Sequence, residues 1–69
     1  MDIGNRVREL REEQGLSISD LAERAGLTRN GVSRRELGRR KPAADSIEAL
    51  AKGLNVAPGV LFEDPLVLR

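Results

Sequence analysis

Two short helical segments separated by only about three residues leave this chain few ways to fold. Ser17 has the character of a helix N-cap, with an acid three residues later, and Gly26 is suited to end the helix that follows. Thr28 supplies the next N-cap. We therefore expect helices over about 18–25 and 29–37, joined by the tight turn of a helix-turn-helix.

The rest of the sequence is predicted to be helical as well. Apolar residues recur at helical spacing before and after the central pair of helices, and Pro58 suits the first position of a final short helix. No segment has the alternation expected of a strand. The sequence predicts an all-α, compact five-helix domain that occupies residues 1–69 as one unit. Its remaining helices are expected at about 3–14, 44–54 and 58–62, with a tail over 63–69.

The composition limits both the stability and the chemistry of the chain. A chain of 69 residues has a thin core, and this one has no cysteine or histidine to add a disulfide or a zinc site. Association with a second copy is the remaining common way to gain stability. Without histidine, cysteine or tyrosine, and with no nucleophile beside a base, the chain is not expected to be an enzyme. We expect no catalytic residue, cofactor, metal or membrane span, and a cytoplasmic location.

The net charge of +1 conceals an uneven distribution of charge along the chain. Between Thr28 and Pro42, six basic residues stand against one acid, a net charge of +5, while the remaining residues have a net charge of −4. Such a basic surface attracts polyanions, although from charge alone a solvated basic loop is equally consistent. Because Phe62 is the only aromatic residue, the chain lacks the stacking platforms of single-stranded nucleic-acid binders, and duplex is favoured.

A set of residues spread from Ile3 to Phe62 matches the pattern of a known family. The set consists of Gly15-Leu16-Ser17, Leu21-Ala22, Ala25-Gly26-Leu27, Val32-Ser33, Glu36, Gly38, Pro42 and Leu61-Phe62. With these residues, the stretch from Ile18 to Leu37 resembles the helix-turn-helix of the lambda-repressor-like, Cro/XRE-type transcriptional regulators. The chain is accordingly expected to have the lambda-repressor-like fold.

Several matching residues have structural roles in this motif. Ala22 must be small because the second and third helices cross closely, and Gly26 takes the positive φ of the sharp turn. Four apolar residues are expected to face inward: Leu21, Ala25, Leu27 and Val32. The resemblance also implies that Arg11 pairs with Glu36, because the family often joins its first helix to the end of its third in this way.

The resemblance further implies a DNA-reading surface on the third helix, which in this family enters the major groove N-terminus first. The implied base-reading residues are Arg29, Asn30, Ser33 and Arg34. Arginine can bind guanine O6 and N7, and asparagine adenine N6 and N7, with two hydrogen bonds each. The implied phosphate-binding residues are Ser17, Ser19, Thr28, Arg39, Arg40 and Lys41. The alternative is that these side chains form only the solvated face of a surface helix.

Three positions depart from the family pattern. Ile18 stands where a glutamine usually reaches a phosphate, so that contact is expected to be missing or replaced by Ser19. Arg35 stands where a large apolar residue is usual, so it must extend outward, bind an acid or contact DNA. Gly31 weakens a helix by about 0.5–1 kcal/mol relative to alanine. Together Gly31 and Arg35 suggest a third helix that is partly ordered by DNA.

The sequence thus predicts a sequence-specific transcriptional regulator that binds double-stranded DNA, as a homodimeric repressor on a palindromic operator. Half-sites would lie about 34–36 Å apart, one turn of the duplex. The expected dimer surface consists of Val60, Leu61, Phe62, Leu66, Val67 and Leu68, some of which must close the core instead. The alternative is a helix-turn-helix module that binds a protein, like an antitoxin, with weak or no affinity for DNA; Ile18 and Arg35 favour it.

Overall fold

The computed structural model describes residues 3–38 and 42–62, and every element in these ranges is helical. Helix α1 spans Ile3–Glu13, α2 spans Ile18–Ala25, α3 spans Arg29–Leu37 and α4 spans Ala44–Leu54, and a 3₁₀ helix spans Pro58–Phe62. Several predicted site residues lie outside the described residues: Arg39, Arg40, Lys41, Leu66, Val67 and Leu68.

The expected fifth helix is present over Pro58–Phe62, but it is a 3₁₀ helix and the other four are α-helices. Pro58 has no N–H to donate, and the Val60 amide donates to the Ala57 carbonyl at 2.9 Å, three residues back. Five residues are enough for this tighter helix but too few for a ladder of α-helical hydrogen bonds. The other helices have the expected bounds, except that α1 ends one residue earlier, at Glu13.

The turn between α2 and α3 is built from local hydrogen bonds and one left-handed residue. Ser17 Oγ accepts a hydrogen bond from the Asp20 amide at 3.0 Å, and the Ser17 amide donates to the Asp20 carboxylate at 2.9 Å. Gly26 ends α2 with φ of 71°, the positive value expected for it. Thr28 Oγ1 then accepts a hydrogen bond from the Gly31 amide at 3.0 Å and begins α3. These contacts fix the angle between the two helices.

The core lies between α2 and α4, with α1 packed on α3 and the 3₁₀ helix packed on α1 and α4. Its buried apolar residues are Ile3, Val7, Leu10, Leu21, Ala22, Val32, Ile47, Leu50, Ala51, Leu54 and Leu61. Ala25 and Leu27, which were expected to face inward, are only partly buried. Leu61 is fully buried and therefore belongs to the core rather than to the expected dimer surface, whereas Val60 is partly buried against the core.

The close approach of α4 to α2 depends on a missing side chain. A Cβ on Gly53 would lie 2.9 Å from Leu21 Cδ1 and 3.1 Å from Ala25 Cβ. Because a larger residue would push the helices apart, Gly53 allows α4 to support α2 from behind. Helix α2 also packs against α3 across the turn.

Candidate nucleic-acid interface

The four predicted base-reading residues share one side of α3. Because an α-helix turns about 100° per residue, their positions fall within an arc of about 140°. Three of them are exposed and Ser33 is partly buried: Arg29, Asn30, Ser33 and Arg34. Val32 and Glu36 lie outside this arc and are buried. The helix is thus anchored by one side and presents hydrogen-bonding side chains on another.

The polar groups in this arc are available to a ligand. Within residues 3–38 and 42–62, the side chains of Arg29, Asn30, Ser33 and Arg34 make no hydrogen bond or ion pair. Each arginine therefore presents a free guanidinium, and Asn30 presents a donor and an acceptor side by side. These are the groups that bind base edges in pairs of hydrogen bonds.

An open depression of about 590 Å³ lies at the N-terminal end of α3. It is lined by Ile18, Thr28, Arg29, Asn30 and Ser33. Since Ile18 begins α2 and Arg29 begins α3, the N-termini of both helices border the same depression. Helix N-termini have a positive partial charge, which favours an anionic partner at this place.

The hydroxyl groups predicted to bind phosphates already have structural roles. Ser17 Oγ and Thr28 Oγ1 each accept a hydrogen bond from an amide of the following helix, which uses a lone pair and leaves the O–H free to donate. Ser17, Ser19 and Thr28 are all exposed. The three hydroxyl groups can therefore donate to a phosphate without giving up the caps of α2 and α3.

An ion pair attaches the C-terminal end of α3 to α1. Arg11 Nε donates to Glu36 Oε2 at 2.8 Å and Arg11 Nη2 donates to Glu36 Oε1 at 3.2 Å, which is the pair that the resemblance implied. Arg11 Nη1 also donates to the Leu16 carbonyl at 2.8 Å. The hydrogen bond to Glu36, opposed by burial, raises the pKa of Arg11 above its ordinary value. Arg11 thus joins α1, the segment before α2 and the end of α3.

Gly4 makes a second contact between α1 and α3, which the sequence did not reveal. Gly4 is buried, and a Cβ added there would lie 2.7 Å from the Glu36 carbonyl oxygen and closer still to that of Arg35. The first turn of α1 therefore lies directly against the backbone at the end of α3. No local pattern distinguishes this glycine, because its partners are more than 30 residues away.

Arg35 has no acidic partner among the described residues, and the DNA contact proposed for it stays a prediction. Its Nη1 donates to the Gly31 carbonyl at 2.8 Å, one turn earlier on the same helix, and the side chain is partly buried. A Cβ on Gly31 would lie 3.0 Å from that nitrogen, so Gly31 leaves room for the guanidinium. Gly31 and Arg35, which both depart from the family pattern, are therefore structurally coupled: the glycine leaves space for the arginine side chain. That DNA completes the ordering of α3 stays a prediction.

Ile18, the third departure, packs against the core with part of its side chain and lines the depression with the rest. Its side chain offers no polar atom to a phosphate, so the side-chain contact that the resemblance implies for a glutamine is absent at this position. Ser19, the proposed replacement, is exposed beside it.

The described part of the chain shows neither a membrane span nor a metal cluster. No helix in residues 3–38 and 42–62 combines the length and apolar character that crossing a bilayer requires. In the same ranges, no three potential ligands among His, Cys, Asp and Glu come together.

Comparison with known proteins places this arrangement in a family. The profile of the helix-turn-helix family matches residues 7–61. An HTH-type transcriptional regulator of Mycobacterium tuberculosis is 43% identical over 59 residues, which cover 86% of this chain and 42% of the relative. The restriction-modification controller protein C.AhdI from Aeromonas hydrophila is 41% identical in sequence, with a TM-score of 0.82 over 88% of this chain and 92% of that chain.

A second solved structure is similar over nearly its whole length. The N-terminal DNA-binding domain of SinR from Bacillus subtilis is 31% identical, with a TM-score of 0.79 over 91% of this chain and 93% of that chain. The chain spans less than half the length of the M. tuberculosis regulator, but most of the controller and SinR chains. The chain therefore belongs to the helix-turn-helix family, as its resemblance to the Cro/XRE-type transcriptional regulators predicted.

Proposed function

We propose that this chain is a sequence-specific transcriptional regulator that places α3 in the major groove of double-stranded DNA. The observation that carries the proposal is the arc of α3 on which Arg29, Asn30, Ser33 and Arg34 have no partner among the described residues, beside the depression bordered by two helix N-termini. The names of the M. tuberculosis regulator and of the SinR DNA-binding domain support it.

Base recognition follows from the chemistry of this arc. Arg29 and Arg34 can each donate two hydrogen bonds to O6 and N7 of a guanine, and Asn30 can pair with N6 and N7 of an adenine. Ser33 can donate to an acceptor on any base. Because the buried Val32 and Glu36 hold α3 from outside the arc, these side chains meet the groove at a set rotation of the helix.

Phosphate binding would position the protein on the duplex without reading its sequence. Ser17, Ser19 and Thr28 have free hydroxyl donors at the ends of α2 and α3. The basic run of Arg39, Arg40 and Lys41, which lies outside the described residues, follows α3 directly in the sequence. We assign these six residues to contacts with the phosphates of the DNA backbone on either side of the major groove.

The proposed active form is a homodimeric repressor on a palindromic operator, acting in the cytoplasm by binding and without catalysis. The proposed dimer surface is Val60 and Phe62 with the tail residues Leu66, Val67 and Leu68. A two-fold axis through this surface would set the half-sites about 34–36 Å apart. Analytical ultracentrifugation should detect a dimer at micromolar concentration. A monomer at high micromolar concentration, with and without DNA, would remove this part of the proposal.

Selection from a random duplex library, repeated at two salt concentrations, tests the proposed function. We expect enrichment of one motif, and an affinity that falls with salt by a logarithmic slope of about 0.9 for each phosphate contacted. The matched control is Arg8→Ala, which removes an exposed arginine of α1 and should enrich the same motif. If no motif is enriched at either salt concentration, the regulator assignment fails.

One observation favours the alternative of a protein-binding module. Leu37 is 74% exposed at the end of α3, and it lines a second depression together with Ile18. A pull-down that yields a stable protein partner, together with a failed DNA selection, would select this alternative.

A further inference from the structure

The depression at the start of α3 combines polar side chains with one apolar surface. Of the five described residues that line it, four have hydrogen-bonding side chains and Ile18 is aliphatic. Ile18 is partly buried and packs against the core, so part of its side chain is covered and the remainder faces the depression. A ligand that enters here therefore meets hydrogen-bonding groups beside a fixed aliphatic contact.

Ile18 is held more firmly than a surface residue would be. It begins α2 directly after Ser17, whose reciprocal hydrogen bonds with Asp20 cap the helix. A β-branched side chain on a helix has essentially one χ1 rotamer, so little side-chain entropy is lost when a ligand touches it. It also lines the second depression alongside Ser33, so its exposed surface runs beside α3.

The major groove offers an apolar partner of matching size. The C5-methyl group of thymine projects into the groove next to the O4 acceptor, and the other three unmodified bases have no methyl group there. A 5-methylcytosine has the same methyl group beside an amino donor. An aliphatic side chain flanked by Ser33 and Asn30 suits either edge, because both polar side chains can donate or accept a hydrogen bond beside the methyl group.

We propose that Ile18 forms an apolar subsite for the C5-methyl group of a pyrimidine in the operator, which is thymine in unmodified DNA. The inference rests on the proposed function and adds a base-reading residue on α2 to those on α3. It also explains why isoleucine stands where the family usually has glutamine: a phosphate contact is replaced by a contact with a base, which depends on the DNA sequence.

Removal of single methyl groups from the selected operator tests the subsite. Each thymine in turn is replaced by deoxyuridine, which keeps every hydrogen bond and removes only the methyl group. Burial of one methyl group contributes about 0.8 kcal/mol, so we expect one position per half-site at which affinity falls about fourfold. In an operator that has a C·G pair at that position instead, replacement of the cytosine by 5-methylcytosine should raise the affinity by a similar factor.

Variants at Ile18 connect this methyl dependence to the residue. Ile18→Ala and Ile18→Gln should bind the thymine and deoxyuridine operators equally well, and glutamine is the residue that the family resemblance implies at this position. The matched control is Val56→Ala, which also trims a partly buried β-branched side chain packed on the core but lies far from α3 in the sequence. This control should keep the fourfold ratio. Circular dichroism melting curves confirm that each variant is folded at the assay temperature.

The possible outcomes separate the two proposals. A selected motif with no methyl dependence, or with one that Ile18→Gln leaves unchanged, overturns the subsite and leaves the regulator assignment standing. A response to thymine without one to 5-methylcytosine also overturns it, because the recognised group would then not be the methyl alone. If no motif is selected at all, the proposed function itself has failed.

Discussion

In α1 every arginine lies beside a glutamate, whereas in α3 Arg29 and Arg34 have no acidic partner among the described residues. The pairs of α1 are Arg6 with Glu9 at 3.6 Å, Arg8 with Glu12 at 3.8 Å, and Arg11 with Glu36 at 2.8 Å. The same side chain therefore stabilises the domain in one helix and is left available to a ligand in the other. The net charge of +1 hides this division, because it sums paired and unpaired arginines alike.

The two helices also depend on each other. Glu36 is an acid of α3, but it points towards α1 and is buried, at 7% exposure. Because Glu36 is buried, the exposed arc of α3 has no negative charge. The pairing of Glu36 with Arg11 also fixes the orientation of α3. The exposed arc of α3, with its unpaired arginines, is thus held in place by the contact between α1 and α3, where the charges are paired.

Glu36→Ala removes the ion pair between α1 and α3 and should lower the free energy of unfolding more than any other change proposed here. Breaking a buried pair by removing one partner costs about 3–5 kcal/mol. We expect about 3 kcal/mol, the lower end, because Arg11 keeps its hydrogen bond to the Leu16 carbonyl. Urea unfolding followed by circular dichroism measures the loss. Arg8→Ala, which breaks an exposed pair, should cost less than about 0.5 kcal/mol, and equal losses in the two variants would contradict the division.

Gly4→Ala should have the next largest effect, because it separates α1 from α3 without changing any charge. The new methyl group would meet the carbonyl oxygens of Arg35 and Glu36, which are backbone atoms and cannot rotate away. Overpacking of this kind costs about 1–3 kcal/mol. Gly59→Ala is the matched control, since a Cβ there meets nothing within 4 Å. A Gly4→Ala protein as stable as the control would show that α1 does not rest on α3 in this way.

The features that the sequence predicted well are local ones. The N-caps at Ser17 and Thr28 and the left-handed turn at Gly26 depend on neighbours within a few residues, so their residue types alone indicate the conformation. The last helix was predicted in place but not in kind, because Pro58 suits the first turn of an α-helix and of a 3₁₀ helix alike. The reading residues of α3 were implied by the family resemblance, and their exposure is what the structure adds.

Contacts between distant parts of the chain could not be predicted from the residues alone. The pair of Arg11 and Glu36 joins residues 25 apart, and only the family resemblance indicated it. Gly4 has no local mark that separates a close helix contact from an ordinary weak helix position. Arg35 was expected to need an acid or solvent, but a backbone carbonyl one turn away was enough, because a glycine at position 31 leaves space for the guanidinium.

Arg29→Ala and Arg34→Ala test the other half of the comparison, the free charges. Each should weaken binding to the selected operator by about 1–3 kcal/mol and relax the preference at one base pair. Arg40→Ala should weaken binding to all sequences alike and lower the salt slope by about 1. Titrations on the selected operator and on random duplex distinguish these effects. Equal losses on both duplexes for Arg29→Ala and Arg34→Ala would contradict the base-reading assignment.

Arg35→Ala tests whether Arg35, the third arginine of α3, stabilises the fold as the arginines of α1 do or contributes to DNA binding. By the helical period Arg35 lies on the side of α3 opposite the arc, and its guanidinium is bonded to the Gly31 carbonyl. We expect a loss of about 1 kcal/mol in unfolding free energy, the size of one hydrogen bond, and less than a twofold change in affinity for DNA. A tenfold loss of affinity with unchanged stability would move Arg35 to the reading surface.

Asp20→Asn should have the smallest effect, seen only as a change in pH dependence. The hydrogen bond from the Ser17 amide lowers the pKa of Asp20 below its ordinary value of 3.8, since it favours the charged carboxylate. The stabilisation is therefore present above pH 3.8 and is lost as the pH falls through the lowered value in the folded protein. Asparagine can still accept the Ser17 hydrogen bond but does not titrate. The stability difference between wild type and variant should be constant near neutral pH and shrink below pH 3.8; a difference that grows in acid would show that Asp20 caps α2 in its protonated form.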